Sequence, residues 1–396
     1  MEIELSDRVQ RIQPSPTLAV SALAAQLRAE GRDIVGLGAG EPDFDTPEHI
    51  KQAAVDALAR GETKYTPVDG TVSLKAAIIR KFDRDNGLTF TPDQILVSSG
   101  GKQSIFNLCQ ALLNPGDEVV IPAPYWVSYP DIALLAGARP VVVSAEQEAG
   151  FRITGAQLEA AITPNTRLVF LNSPSNPTGA AYSAEQLTEL AEVLRRHPRV
   201  VIATDDMYEH ILFGSTPFVN IVNVAPDLLD RTVVLNGVSK AYAMTGWRIG
   251  YAGGPKNLIA AMKKIQSQST SNPTSIAQAG AEAALDGDQD CVVAMCSAFA
   301  ERARRVVDGL NAIDGIECLM PDGTFYCFPR VTGLMQAADI DTDVALTKQL
   351  LDEVGVALVP GSAFGAPGHV RVSFATSVDQ LDKALERLRQ FVANHS

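Results

Sequence analysis

The stretch Thr232-Val-Val-Leu235, followed by Gly237-Val-Ser-Lys-Ala-Tyr-Ala-Met-Thr-Gly-Trp-Arg248, carries the reading of this chain. Its first four residues are a continuous apolar run, as in a strand covered on both faces. Lys240 then stands at the mouth of the sheet, where an ammonium loses much of its hydration. Its pKa falls there, and it becomes a nucleophile able to form an imine with an aldehyde. Arg248, past the Gly246 turn, carries the planar fork that grips a phosphate by two bonds. A lone lysine and arginine are most often solvated surface residues, so the reading depends on the neighbouring segments.

Outward from this stretch, short β-branched runs alternate with helical segments: Ile95-Leu-Val97, Glu118-Val-Val-Ile121, Pro140-Val-Val-Val143, Leu168-Val-Phe-Leu171 and Val200-Val-Ile-Ala203. Ala184 to Leu194 repeats apolar residues at helical spacing. This order predicts an α/β fold, a mostly parallel sheet sandwiched by helices, over residues 46–290. Residues 291–396 read as a smaller α+β domain. Its expected elements are a helix near 291–312, a strand pair at Ile316-Glu-Cys-Leu and Thr324-Phe-Tyr-Cys-Phe328, a helix near 343–354 and a strand over His369–Phe374. Residues 1–45, with Pro14, Pro16 and Gly36-Leu-Gly-Ala-Gly40, read as a loop-rich arm that cannot form a core and packs on the smaller domain or on a partner subunit.

Composition narrows the function. The chain has 396 residues, 46% of them apolar and 20% charged, typical of a globular protein of about two domains. A net charge of -13 argues against nucleic acid as a partner, since phosphate backbones are met by clustered Lys and Arg. The acidic start has no apolar leader region, and no apolar run approaches about 18 residues, so a cytoplasmic protein with no membrane partner is expected. Five cysteines without paired spacing and five scattered histidines favour reduced thiols and no metal site.

In open α/β sheets, ligands sit beyond the carboxyl ends of the strands. Ser98-Ser-Gly-Gly-Lys-Gln103 follows the first run and opens a helix, whose free N–H groups suit a phosphate at Gly100, Gly101 and Lys102; a plain tight turn fits equally. No P-loop or dinucleotide fingerprint is present. Ala123-Pro-Tyr-Trp126 offers an indole for stacking on a flat heterocycle, or a core tryptophan. Asn172-Ser-Pro-Ser-Asn-Pro-Thr-Gly179 is a turn that presents the Asn176 amide. Thr204-Asp-Asp-Met-Tyr208 places Asp205 where a carboxylate can pair with a protonated pyridine nitrogen, or cap a helix. An imine lysine, a phosphate cradle, a stacking ring and a carboxylate at successive strand ends are together what one phosphorylated pyridine aldehyde, pyridoxal 5'-phosphate, requires.

On these residues the chain resembles the fold type I pyridoxal-phosphate enzymes, and among them the class I aminotransferases of the bacterial aspartate aminotransferase subgroup. The motifs are Gly38-Ala-Gly-Glu-Pro-Asp-Phe44, Thr63-Lys-Tyr-Thr-Pro67, Gly100-Gly-Lys102, Pro124-Tyr-Trp-Val-Ser-Tyr-Pro130, Asn172 to Gly179, Ser239 to Tyr251, Ser269 to Thr274 and Pro360 through Arg371. The resemblance implies a seven-stranded sheet, with Lys240 as the Schiff-base lysine and Asp205 on the ring nitrogen. It implies Tyr208 and Asn176 on the ring hydroxyl and Trp126 stacked on the ring. The phosphate would lie among the Gly101 and Lys102 backbone, Ser239, Arg248 and a neighbouring subunit's Tyr65. Arg371, with Asn176 and the Gly40 backbone, would grip the substrate α-carboxylate. Lys102, Ser15 and Thr17, with a loop near Ser271 from the other subunit of a homodimer, would meet a side-chain carboxylate.

The activity so implied is transfer of an amino group from an L-amino acid, foremost aspartate, to a 2-oxo acid, foremost 2-oxoglutarate, in a ping-pong cycle. A broad-specificity, aromatic or prephenate aminotransferase, or a pyridoxal-phosphate-dependent lyase, is the alternative on the same scaffold. Asp206 stands where the family usually has Glu, Thr324 where it has Ala, Gly237 where some relatives have a phosphate-binding Ser, and Gln13 where some prephenate-using relatives have Lys.

Overall fold

The computed structural model describes residues 3–214 and 217–395; Met1, Glu2 and Ser396, at the ends of the expected N- and C-terminal segments, lie outside them. Seven strands form one sheet: β1 (Ile95–Ser98), β2 (Glu118–Ala123), β3 (Arg139–Ser144), β4 (Thr166–Asn172), β5 (Val201–Asp205), β6 (Thr232–Gly237) and β7 (Gly250–Gly253). Their order across the sheet is β1-β7-β6-β5-β4-β2-β3. Only β7 runs antiparallel to its neighbours. Every residue of β1 and β6 is buried, as continuous apolar runs require when helices cover both faces. The helix Ala184–Arg196 is one of these covers. Ser183 caps it by accepting the Gln186 N–H, and Leu187, Leu190, Ala191 and Leu194 line its buried side.

The strand β7, Gly-Tyr-Ala-Gly, lacks the β-branched run that marks the other strands, and it is held by close backbone approach instead. A Cβ on Gly250 would stand 2.2 Å from the Gly101 amide nitrogen and 2.5 Å from the Gly100 carbonyl carbon. All of these are backbone atoms at the start of the helix Gly101–Leu112, so nothing nearby can swing aside. Gly250→Ala is expected to destabilise the protein by about 3 kcal/mol, the upper range for overpacking. A thermal melt checks this, and an unchanged midpoint would contradict it.

A second core lies outside the sheet. There the helices Asp290–Asn311, Asp343–Val354 and Val378–Asn394 pack around Phe299, Phe325, Leu346, Val372 and Phe391. The helix expected near 343–354 and the strand expected within 369–374, now Val370–Ser373, are both present. The expected pairing of 316–319 with 324–328 is corrected. Tyr326–Cys327 pairs antiparallel with Val372–Ser373, while Glu317 makes a single bridge to Arg330. The apolar alternation at 316–319 reflects packing against the core rather than a ladder.

The arm at 1–45 is more ordered than a loop. Pro16 opens a helix, Pro16–Ala29, at the first helical position, where its missing N–H costs nothing. Read as a breaker, that proline is in fact a start signal. Val35–Gly36 then pairs in parallel with Val356–Ala357, which fastens the arm to the second core.

Candidate functional site

The carboxyl ends of β4, β5 and β6 open into a cavity of about 450 Å³, closed on its other side by the second core and the Pro16–Ala29 helix. Lys240, Asp205, Tyr208, Asn176, Trp126, Ser239, Arg248, Gly101, Lys102, Gly40, Thr17 and Arg371 all border it. These come from segments spread across most of the chain, and the sheet brings them to one place because every parallel strand ends on the same side.

Past β6, the Lys240 ammonium donates to the Gly40 carbonyl at 2.5 Å. Burial, and next the Arg371 charge, pull its pKa down to about 8. At the end of β5, the buried Asp205 carboxylate accepts the Tyr129 hydroxyl at 2.6 Å. Burial raises its pKa, while the Tyr129 bond and the Lys240 charge act in the opposite sense. The chain turns after Asp205 without starting an α-helix, so the helix-cap alternative for this aspartate does not apply. Asp206 faces away, accepting Thr204 Oγ1 at 2.6 Å and Asn220 Nδ2 at 3.0 Å, and burial pushes it up to about 8.

From β4, Asn172 Nδ2 donates to the Asp205 carbonyl at 2.8 Å, and the Asn172 carbonyl oxygen Oδ1 accepts the Asn176 N–H at 2.9 Å. Asn176 Oδ1 in turn accepts Arg371 Nη1 at 3.0 Å, and the Gly38 carbonyl accepts Nη2 at 2.8 Å. Arg371 is buried, with its guanidinium 4.4 Å from the Tyr326 ring centroid, and its Nε has no hydrogen-bond partner. A buried guanidinium that borders a cavity and keeps a donor unpartnered suits an anion that arrives from outside. Tyr208 meets Tyr326 hydroxyl to hydroxyl at 3.2 Å.

At the far wall, Gly100 (φ 91°) opens the Gly101–Leu112 helix, and Arg248 lies against it in the left-handed region (φ 56°). A Cβ on Gly100 would come within 2.5 Å of Arg248 Nη2. An exposed guanidinium beside free helix N–H groups, with Ser239 nearby, is a cradle for a phosphate. Trp126 is half-buried and borders the cavity rather than filling the core. Lys102 Nζ lies 5.1 Å from its ring centroid, and burial, with Arg248 adding, lowers that lysine's pKa. An indole wall, a carboxylate, an amine and a phosphate cradle fit pyridoxal phosphate, with a separate guanidinium left for a substrate carboxylate.

Some expected residues lie off the cavity. Ser15 does not border it and bonds Thr17 Oγ1 at 3.0 Å instead. Gly100 stands just behind Gly101, and Tyr65 is 91% exposed on the surface of the single chain. Sequence reasoning missed Tyr326, Met207, Glu41 and Thr245 as lining residues. Met207 between Asp205 and Tyr208 was within reach of a strand-end argument, whereas Tyr326 carried no signal beyond its strand pattern. Thr324, buried at φ 67°, orients the turn before Tyr326 by accepting the Tyr326 N–H at 3.1 Å.

Elsewhere, Asp85, Glu209 and His210 gather their ligand atoms within 4.8 Å. Lys81, buried, already contacts Glu209 and donates to Asn86 at 2.7 Å, so an ammonium takes the place a metal cation would need.

The profile of the family described as aminotransferase class I and II matches residues 32–388. An aspartate/prephenate aminotransferase of Nitrosomonas europaea is 59% identical, covering 99% of this chain and 100% of that protein. The crystal structure of the aspartate aminotransferase from Rhizobium meliloti superimposes with a TM-score of 0.96 at 51% identity, over 100% of both chains. The aspartate aminotransferase of Thermus thermophilus, solved with maleate, gives a TM-score of 0.93 at 44% identity over 98% of this chain and 100% of that one.

Proposed function

The chain belongs to the class I and II aminotransferases, and from that premise we propose that it transfers the amino group of aspartate to 2-oxoglutarate in a ping-pong cycle. Pyridoxal phosphate, on which the class depends, supplies an aldehyde carbon to carry the amino group and a pyridine ring to disperse negative charge. Lys240 would hold the cofactor through its amine. Its amine would also be the base that takes the proton from the substrate Cα and gives it up again. Asp205 would hold the proton on the ring nitrogen, Tyr208 and Asn176 would bind the ring hydroxyl, and Trp126 would cover the ring. The Gly101 and Lys102 amides, Ser239 and Arg248 would bind the phosphate. Arg371, with Asn176 and the Gly40 backbone, takes the α-carboxylate.

The observation that carries this reading is the common cavity bordered by the Lys240 amine, the Asp205 carboxylate and the Arg371 guanidinium with its unpartnered Nε. The Lys102 ammonium and Thr17 are the groups left for a second carboxylate, and maleate in the Thermus relative is a dicarboxylate of aspartate's length. Relatives named for prephenate favour a second reading in which that ring acid is also an acceptor, Gln13 notwithstanding. Comparing kcat/KM for aspartate, phenylalanine and kynurenine, with 2-oxoglutarate and prephenate as acceptors, tests both. Preference for phenylalanine over aspartate would overturn the first reading, and product formed without any oxo acid would indicate a lyase.

The pKa of about 8 at Lys240 has a kinetic consequence. The amine is the reactive form, so cofactor uptake by the apoprotein should rise as pH increases through about 8 and level above it. An ordinary lysine would still be gaining reactivity near 10.4. The same depression means the unfolded chain binds the extra proton between these two values, so this group's contribution to stability also rises with pH there. Stopped-flow uptake across pH 6.5–10 checks the midpoint; a plot still climbing at the top of that range would contradict it.

The active unit we propose is a homodimer in the cytoplasm. Tyr65, exposed in the single chain, and the Ser271 turn at φ 61° would then serve the neighbouring subunit's cavity. The cysteines that remain free fit a reducing compartment. Residues 46–290 would form the cofactor domain and 291–396, with the 1–45 arm, the smaller one. Light scattering that finds an active monomer would refute the dimer.

A further inference from the structure

Asp205 has two oxygens in unlike surroundings. Its Oδ2 accepts the Tyr129 hydroxyl at 2.6 Å, while Oδ1 receives only a long contact from the Met207 N–H at 3.4 Å. The hydroxyl is therefore the one close donor to the carboxylate among the described residues. Tyr129 is itself immobilised. It lies in the helix Ser128–Leu135, is buried, stacks on Phe170 of β4 with centroids 4.5 Å apart and planes 11° apart, and meets Trp126 edge-on at 5.3 Å. Buried phenols need an acceptor, and the Asp205 carboxylate is the acceptor this one has.

The physical consequence concerns charge. Burial favours the neutral acid at Asp205, whereas a donor on the carboxylate favours the ion. The other groups facing Asp205 are Lys240 from the loop after β6 and Tyr208 from the turn after β5, with Asp206 beside it. Burial pushes the Tyr129 phenol well above its ordinary pKa, so it remains a donor throughout the working range. The carboxylate is thus clamped on one oxygen and free on the other.

We propose that Tyr129 is a positioning residue that clamps Asp205 through Oδ2, fixes the direction of its other oxygen, and so sets how tightly this chain holds a protonated pyridine nitrogen. This rests on the reading of Asp205 as the ring-nitrogen partner. A purely structural tyrosine would fill space between Phe170 and Trp126 and leave the ring nitrogen unaffected.

Tyr129→Phe keeps both ring contacts and removes only the hydroxyl. The apoprotein of this variant and of the parent is titrated with pyridoxal phosphate and, separately, with the analogue carrying carbon in place of the ring nitrogen. Loss of one hydrogen bond to a charged group predicts about tenfold weaker binding of pyridoxal phosphate and less than about twofold change for the analogue. Equal losses for the two, or no loss for either, would overturn the inference.

Phe170→Leu, which loosens the stack but keeps the hydroxyl, provides the same comparison if the first variant folds poorly, with a smaller selective loss expected. Asp205→Asn tests the underlying reading. Weakening confined to pyridoxal phosphate supports Asp205 as the nitrogen partner, and if Tyr129→Phe then shows none, only the Tyr129 inference falls. If Asp205→Asn treats both compounds alike, both readings fall.

Discussion

Lys240→Ala is expected to lower turnover by about ten-thousand-fold or more, since it would remove both the proposed covalent anchor and the proposed general base, whose loss alone costs up to about that factor. The purified variant should also lack imine absorbance, while still taking up the cofactor through the proposed phosphate cradle. No neighbour can replace the amine. Lys102, the other lysine bordering the cavity, lies over the Trp126 ring, and the Tyr208 phenol is held well above its ordinary pKa by burial, so it stays protonated and does not take up a further proton. A coupled assay for the oxo-acid product and an absorbance spectrum are sufficient. A variant retaining more than about a hundredth of parental turnover would remove Lys240 from the proton-transfer role, given that range for a single base.

Arg371→Lys is expected to lower kcat/KM about a thousandfold for amino and oxo acids alike, the loss of a bidentate carboxylate clamp with hydrogen bonds to a charged group. Lysine keeps the charge but not the fork. It cannot both donate to Asn176 Oδ1 and the Gly38 carbonyl, as Nη1 and Nη2 do, and still offer a planar fork to an incoming carboxylate. The loss should appear mainly as a rise in KM for every substrate that bears an α-carboxylate, with the cofactor spectrum unchanged. A change confined to dicarboxylic substrates would instead assign Arg371 to the side-chain end. A weakened cofactor would place its role in assembling the pocket through Asn176.

Much of the sheet was legible because a strand buried on both faces must be apolar throughout, and β1, β2, β4, β5 and β6 each carry such a run. β7 escaped that logic, since Gly250 is selected by contact with Gly101, a residue far off in the chain. The arm escaped it for another reason. Whether Pro16 breaks a helix or begins one depends on the residues that pack behind it. Tyr326 shows the same limit, as its place in the cavity follows from pairing Tyr326–Cys327 with Val372–Ser373.

What this amino-acid sequence determined alone was chemical and local: a lysine after an apolar strand, an arginine eight residues on, glycines at a helix start, and aspartate and asparagine at strand ends. Residue type and spacing are sufficient there because each group's role follows from its own chemistry and from the strand it terminates. Only the tertiary structure decided which of them share one cavity, that Arg371 has a donor to spare, that Asp205 faces inward while Asp206 faces away, and that Tyr129 holds Asp205. Those facts arise from contacts between segments far apart in the chain, and from burial that shifts a proton's affinity, neither of which is a property of any local stretch.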